Sequence, residues 1–97
     1  MNASIAIQVL PQVHNRQKTI AIVDEVIEYI KQSGLHYQVG AFETTIEGDY
    51  DVLMEILKQC QLIACEAGAP SVLSYAKIMF ISEGSLLSID EKTKKHQ

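Results

Sequence analysis

Apolar and polar residues alternate along Ser4 to Leu10 (SIAIQVL), with Ile5, Ile7 and Val9 on one side and Ser4, Ala6 and Gln8 on the other. That period of two predicts a half-buried strand, which Pro11 ends. From Asn15 to Ser33 the period lengthens: Ile20, Val23, Val26, Ile27 and Ile30 fall at helical spacing opposite Asp24, Glu25, Glu28, Lys31 and Gln32, an amphipathic helix. Gly34 suits the left-handed position that closes it. His36 to Phe42 (HYQVGAF) and Glu43 to Glu47 (ETTIE) are short and rich in aromatic and β-branched residues, and they predict two strands forming a hairpin. Asp49 is placed to cap a second helix, with the stripe Leu53, Ile56, Leu57, Cys60, Ile63 and Ala67, stopped by Gly68 and Pro70,. Ser71 to Ser82 (SVLSYAKIMFIS) predicts the last strand, and Glu83-Gly84 the turn after it. Ser88-Ile89-Asp90-Glu91 has the Ser-x-x-Glu spacing of a capping box ahead of lysines, the signature of a short terminal helix,.

The order strand, helix, strand, strand, helix, strand is a doubled β-α-β unit. Right-handed crossovers in both halves predict an α+β, ferredoxin-like βαββαβ fold: an antiparallel four-stranded sheet, two helices on one face, and a short C-terminal helix. The other sheet face is expected to be bare. Ile78, Met79, Phe80 and Ile81 are four apolar residues in a row, so both faces of the last strand are apolar there,. A homo-oligomer, dimer or tetramer, packing sheet on sheet or edge on edge is therefore expected, with room for a ligand in the seam.

At 97 residues the chain is expected to hold one domain, 1–97, and a large multi-site enzyme is excluded. Charge separates along it: residues 1–91 carry all twelve acids against five bases, −7, while Lys92, Lys94 and Lys95 return +3 for the net −4. An acidic body repels polyphosphate, so nucleic acid and anionic membrane are poor partners, and a cationic small molecule is tolerated. No window reaches the roughly 20 apolar residues of a membrane span, and no basic-then-apolar leader opens the chain, so a cytoplasmic location is expected. Cys60 and Cys65 lie five apart on a helix, about 140° around its axis, which suits neither a disulfide nor a shared metal. His14, His36 and His96 have no ligand-type spacing, and neither metal nor cofactor is expected.

The residues that could carry chemistry cluster at Glu43-Thr44-Thr45-Ile46-Glu47-Gly48-Asp49. Period 2 puts Glu43, Thr45 and Glu47 on one strand face and Thr44 and Ile46 on the other. Such an acceptor-rich row can exchange hydrogen bonds with a heterocycle and meet an amine, or it can be a solvated edge strand running into a helix cap. Gln8 points opposite Ile7 and Val9, toward the bare face, where its amide can read a ligand or face solvent. Lys77 shares one face of the last strand with Tyr75 and is placed to pair with an acidic-row residue across the sheet. Pro11 to Arg16 lacks the glycines of a phosphate-cradling loop,.

The first strand with its VLPQ ending, the helix end VIEYIKQSGL, the block GAFETTIEGDYDVLMEILK and the tail SIDEKTKKH together resemble the thiamine-binding, YkoF-like family of small bacterial and archaeal proteins across nearly the whole chain. The most specific piece is Thr44-Thr45-Ile46-Glu47-Gly48-Asp49. The resemblance implies a ferredoxin-like fold that oligomerises through its sheets and binds thiamine or its hydroxymethylpyrimidine moiety without catalysis. Thr44, Glu47 and Gly48 match the family block, as does Pro11. Thiamine joins a cationic thiazolium to an aminopyrimidine with donor and acceptor edges. Glu43, Thr44, Thr45, Glu47 and Gln8 are candidates for its polar contacts, and Tyr37, Phe42 or Phe80 for its rings. Two other classes stay open: a small enzyme on the same fold, of acylphosphatase or cofactor-free oxygenase type, and a protein-interaction or regulatory module.

Overall fold

The computed structural model describes residues 1–96; Gln97, which closes the expected domain, lies outside the described residues. The elements run β1 (Ala3–Pro11), α1 (Arg16–Gln32), β2 (Tyr37–Val39), β3 (Thr44–Gly48), α2 (Tyr50–Glu66), β4 (Val72–Phe80) and α3 (Ile89–Thr93), with a 3-10 turn over Lys94–His96. The sheet order is β2-β3-β1-β4, and every neighbouring pair is antiparallel. This is the ferredoxin-like βαββαβ topology with the short C-terminal helix.

Alternation along β1 sets the layers. Ile5 and Ile7 are buried beneath α1 and α2, together with Ile46 of β3. From the helices come Ile22, Val26 and Ile30 of α1 and Leu53, Ile56, Cys60 and Ala64 of α2. One expectation fails here. Ile20 is 52% exposed, and Ile22 takes the core position. The inward stripe of α1 is the i, i+4, i+8 row Ile22–Val26–Ile30, which a sequence with apolar residues at 20, 22 and 23 leaves open until the helix is docked.

Asn15 caps α1, its Oδ1 accepting from the Lys18 N–H at 2.8 Å, and Gly34 follows with φ +78°, the left-handed value expected of it. Asp49 occupies the N-cap of α2 but its side chain makes no capping hydrogen bond; Asn2 Oδ1 instead accepts from the Tyr50 N–H at 2.8 Å. A residue 48 positions away thus meets one of the donors that a local cap was expected to meet.

The hairpin is tighter than its residue types imply. Strand pairing covers only Tyr37 to Val39 of the expected His36–Phe42, and Gly40 to Glu43 form the turn. The Gly40 N–H donates to the Glu43 carbonyl at 2.9 Å, and a Cβ at position 40 would stand 2.9 Å from that same oxygen. Only glycine fits so close an approach. The turn brings Glu43 to the mouth of the sheet's second face.

That second face is not bare. The chain after β4 returns across it, burying Ile89 of α3, and Ser4 and Glu47, which point away from α1 and α2, are buried as well. The expectation of an uncovered face is corrected at this end of the sheet. The capping box marks where α3 begins, but its docking place depends on Glu47, 42 positions earlier.

Candidate functional site

β1 is a central strand, and its residues on the face away from α1 and α2 include Ser4 and Ala6. Both are small, so the taller side chains of β3 and β4 stand as walls above a low floor. Ser4 pairs with Glu47 and Met79, and Ala6 with Thr45 and Lys77. Direct antiparallel partners share a face, and these rungs build a trough of about 330 Å³. Gln38 lies opposite Thr45 on β2 and extends the wall.

The two ends differ. At the Ser4 end, α3 closes the trough with Ile89, Lys92 and Thr93. The Glu47 carboxylate holds it there by accepting the Ile89 N–H at 2.8 Å, a nearly buried contact. A charged acceptor roughly doubles the strength of such a bond. The Ser88–Glu91 capping box completes the helix start, and His36 Nε2 lies 3.3 Å from Asp90 Oδ1 as a more exposed tie. At the other end Lys77 Nζ meets Glu43 Oε2 at 3.0 Å. This ion pair spans β1, and the methyl side chain of Ala6 leaves space beneath it.

The expected site residues therefore separate. Glu43 and Thr45 line the trough. Glu47 lies on the same face but spends its carboxylate on α3. Gln8 pairs with Tyr75 two residues beyond Ala6; it lines a smaller cavity of about 220 Å³ between α1 and the hairpin turn, together with Thr44, Phe42 and Glu43, which borders both spaces. Phe42 is 82% exposed at the turn. Thr44 is buried, and Tyr37 pairs with Ile46 and packs against the core beneath the helices. Phe80 packs against Tyr50 in a tilted pair, ring centroids 4.8 Å apart and planes at 55°.

Sequence reasoning passed over Ser4, Ala6, Gln38, Ile89, Lys92 and Thr93. Smallness at alternate positions of a central strand was the available signal for the floor, and Gln38 follows from period 2 once the hairpin register is known. The contribution of α3 has no local signal.

Burial pushes the Cys60 thiol up to about 11, so it is not a nucleophilic thiolate at neutral pH,. Cys60 and Cys65 are both free. No cluster of three or more His, Cys, Asp or Glu side chains that could hold a metal occurs among the described residues, nor does any helix long and apolar enough to cross a membrane.

The family model described as thiamine-binding protein matches residues 5–97. A UPF0045 protein of Clostridium perfringens is 40% identical over 94 residues, 97% of this chain and 96% of its own. Among solved structures, a DUF77 domain from Bacillus cereus superposes with a TM-score of 0.89 at 36% identity, covering 100% of this chain and 91% of that one. A Thermotoga maritima protein provisionally assigned to thiamine biosynthesis or salvage superposes with a TM-score of 0.85 at 27% identity, over 100% of both chains. With the family pattern running from the first strand through α3, this chain belongs to the thiamine-binding protein family.

Proposed function

We propose that the chain is a non-catalytic cytosolic binder of thiamine or its hydroxymethylpyrimidine moiety, and that it works as a homo-oligomer. The observation that carries the ligand reading is the trough. It gathers a carboxylate, an amide and a hydroxyl, from Glu43, Gln38 and Thr45, over a floor of small residues. An aminopyrimidine needs an acceptor for its exocyclic amine and donors for its ring nitrogens, and these three groups supply both. Family membership supports the same ligand class, as does the name of the Thermotoga relative.

The homo-oligomer reading rests on β4. It is an edge strand nine residues long, and Leu73, Tyr75, Ile78, Met79 and Phe80 are all exposed along it. A long apolar edge is a template for pairing with another strand, and a second copy of β4 is self-complementary to it about a two-fold axis. Light scattering should return a multiple of 10.8 kDa at micromolar protein; a monomer mass would refute the oligomer.

Titration calorimetry with thiamine and with hydroxymethylpyrimidine tests the ligand. Binding that Glu43→Gln weakens about tenfold or more is expected, since hydrogen bonds to charged groups are worth about 1.5–3 kcal/mol. No heat at millimolar ligand from folded protein would refute the reading.

A further inference from the structure

The trough has a polarity opposite to that of the chain as a whole. Its lining holds two cations, Lys77 and Lys92, against one carboxylate, that of Glu43, although the chain carries −4 overall. Glu43 is matched by Lys77 at 3.0 Å. The neighbouring acids are engaged elsewhere: Glu47 accepts the Ile89 N–H, Glu91 accepts the Ser88 N–H, and Asp90 faces His36. Lys92 makes no ion pair among the described residues. It lines the α3 wall together with Thr93, whose hydroxyl donates to the Ile89 carbonyl at 2.8 Å.

Glu43 and Lys92 enter the trough from different elements, the hairpin turn and α3. α3 is anchored at the rung of Ser4 and Glu47, whereas Glu43 stands four positions before Glu47, in the turn that enters β3. Four residues separate positions 43 and 47, a backbone span of about 13 Å at ~3.3 Å per residue. A ligand matched to this field has an amine at the Glu43 end and an anion at the Lys92 end. A permanently cationic thiazolium set against Lys92 is mismatched.

We propose that the trough selects an aminopyrimidine bearing a phosphate monoester, its amine toward Glu43 and Gln38 and its phosphate toward Lys92. The inference rests on the aminopyrimidine reading above and adds the charge class of the ligand. Phosphate oxygens accept from the Lys92 ammonium, and such charge-assisted bonds are about twice as strong as neutral ones.

Two matched pairs test it by calorimetry at low salt: hydroxymethylpyrimidine against its phosphate monoester, and thiamine against thiamine monophosphate. In each pair the phosphorylated ligand should bind about tenfold tighter or more, the advantage shrinking above ~0.5 M salt as screening sets in. Lys92→Gln should abolish the advantage, so that each monoester binds no tighter than its unphosphorylated partner. Lys95→Gln, with the same change in net charge, should keep it. Equal or weaker binding of the monoesters, or an advantage that survives Lys92→Gln, overturns the inference while the aminopyrimidine reading stands. If no pyrimidine binds, that reading fails; inorganic phosphate that binds wild type and not Lys92→Gln would still uphold the anion-binding pole, and phosphate without effect would overturn both.

Discussion

Replacing Glu47 by alanine tests whether one carboxylate docks the C-terminal helix. α3 has five residues, too few to be stable alone, so its order comes from tertiary contacts. The structure supplies two main ones: burial of Ile89, 4% exposed, and the 2.8 Å bond from its N–H to Glu47. Burying an isoleucine side chain contributes about 1.5–3 kcal/mol, and a hydrogen bond to a charged group about the same. Glu47→Ala removes the second and leaves the first. The amide of Ile89 should then exchange about ten to a hundred times faster, because each 1.4 kcal/mol is a factor of ten in the opening equilibrium. Amides of α1 and β1 should change far less, since α3 packs outside the main core. Glu47→Gln, which keeps an acceptor oxygen but loses the charge, should fall between. Hydrogen exchange followed by NMR reads all three proteins. Unchanged Ile89 exchange in Glu47→Ala would show that the carboxylate does not hold the helix, and the account of the trough's end wall would fail with it.

The remaining predictions concern the core, its buried thiol and the trough floor. Ile22→Ala should cost about 2–5 kcal/mol in urea unfolding and Ile20→Ala under about 1 kcal/mol, because only Ile22 lies in the packed interior,; similar costs would contradict the observed stripe. The Cys60 pKa is raised from 9.0 to about 11 in the fold, so its contribution is fully present below pH 9 and lost as pH rises toward 11. Wild type should therefore lose stability over that window more steeply than Cys60→Ala, and parallel curves would refute the shift. Ala6→Leu should fill the trough floor and weaken ligand binding more than tenfold with little effect on the helix-side core; unimpaired binding would place the ligand elsewhere.

Element order and fold class were legible from periodicity, because strand and helix impose periods of two and 3.6 on any chain that buries one face. Two local signals were legible too: Gly34 and the Ser88–Glu91 box depend on neighbours within a turn. The Glu43–Glu47 row was legible as a cluster, and its alternation places Glu43 and Thr45 on the trough side. What only the tertiary structure decided are the long-range pairings. Asn2 caps α2, Glu47 seats α3, and Lys77 reaches Glu43 across Ala6. Each joins residues at least 34 positions apart. Local periodicity carries no information about such partners, because whether a carboxylate greets a ligand or a helix depends on which distant backbone N–H the fold brings within 3 Å of it.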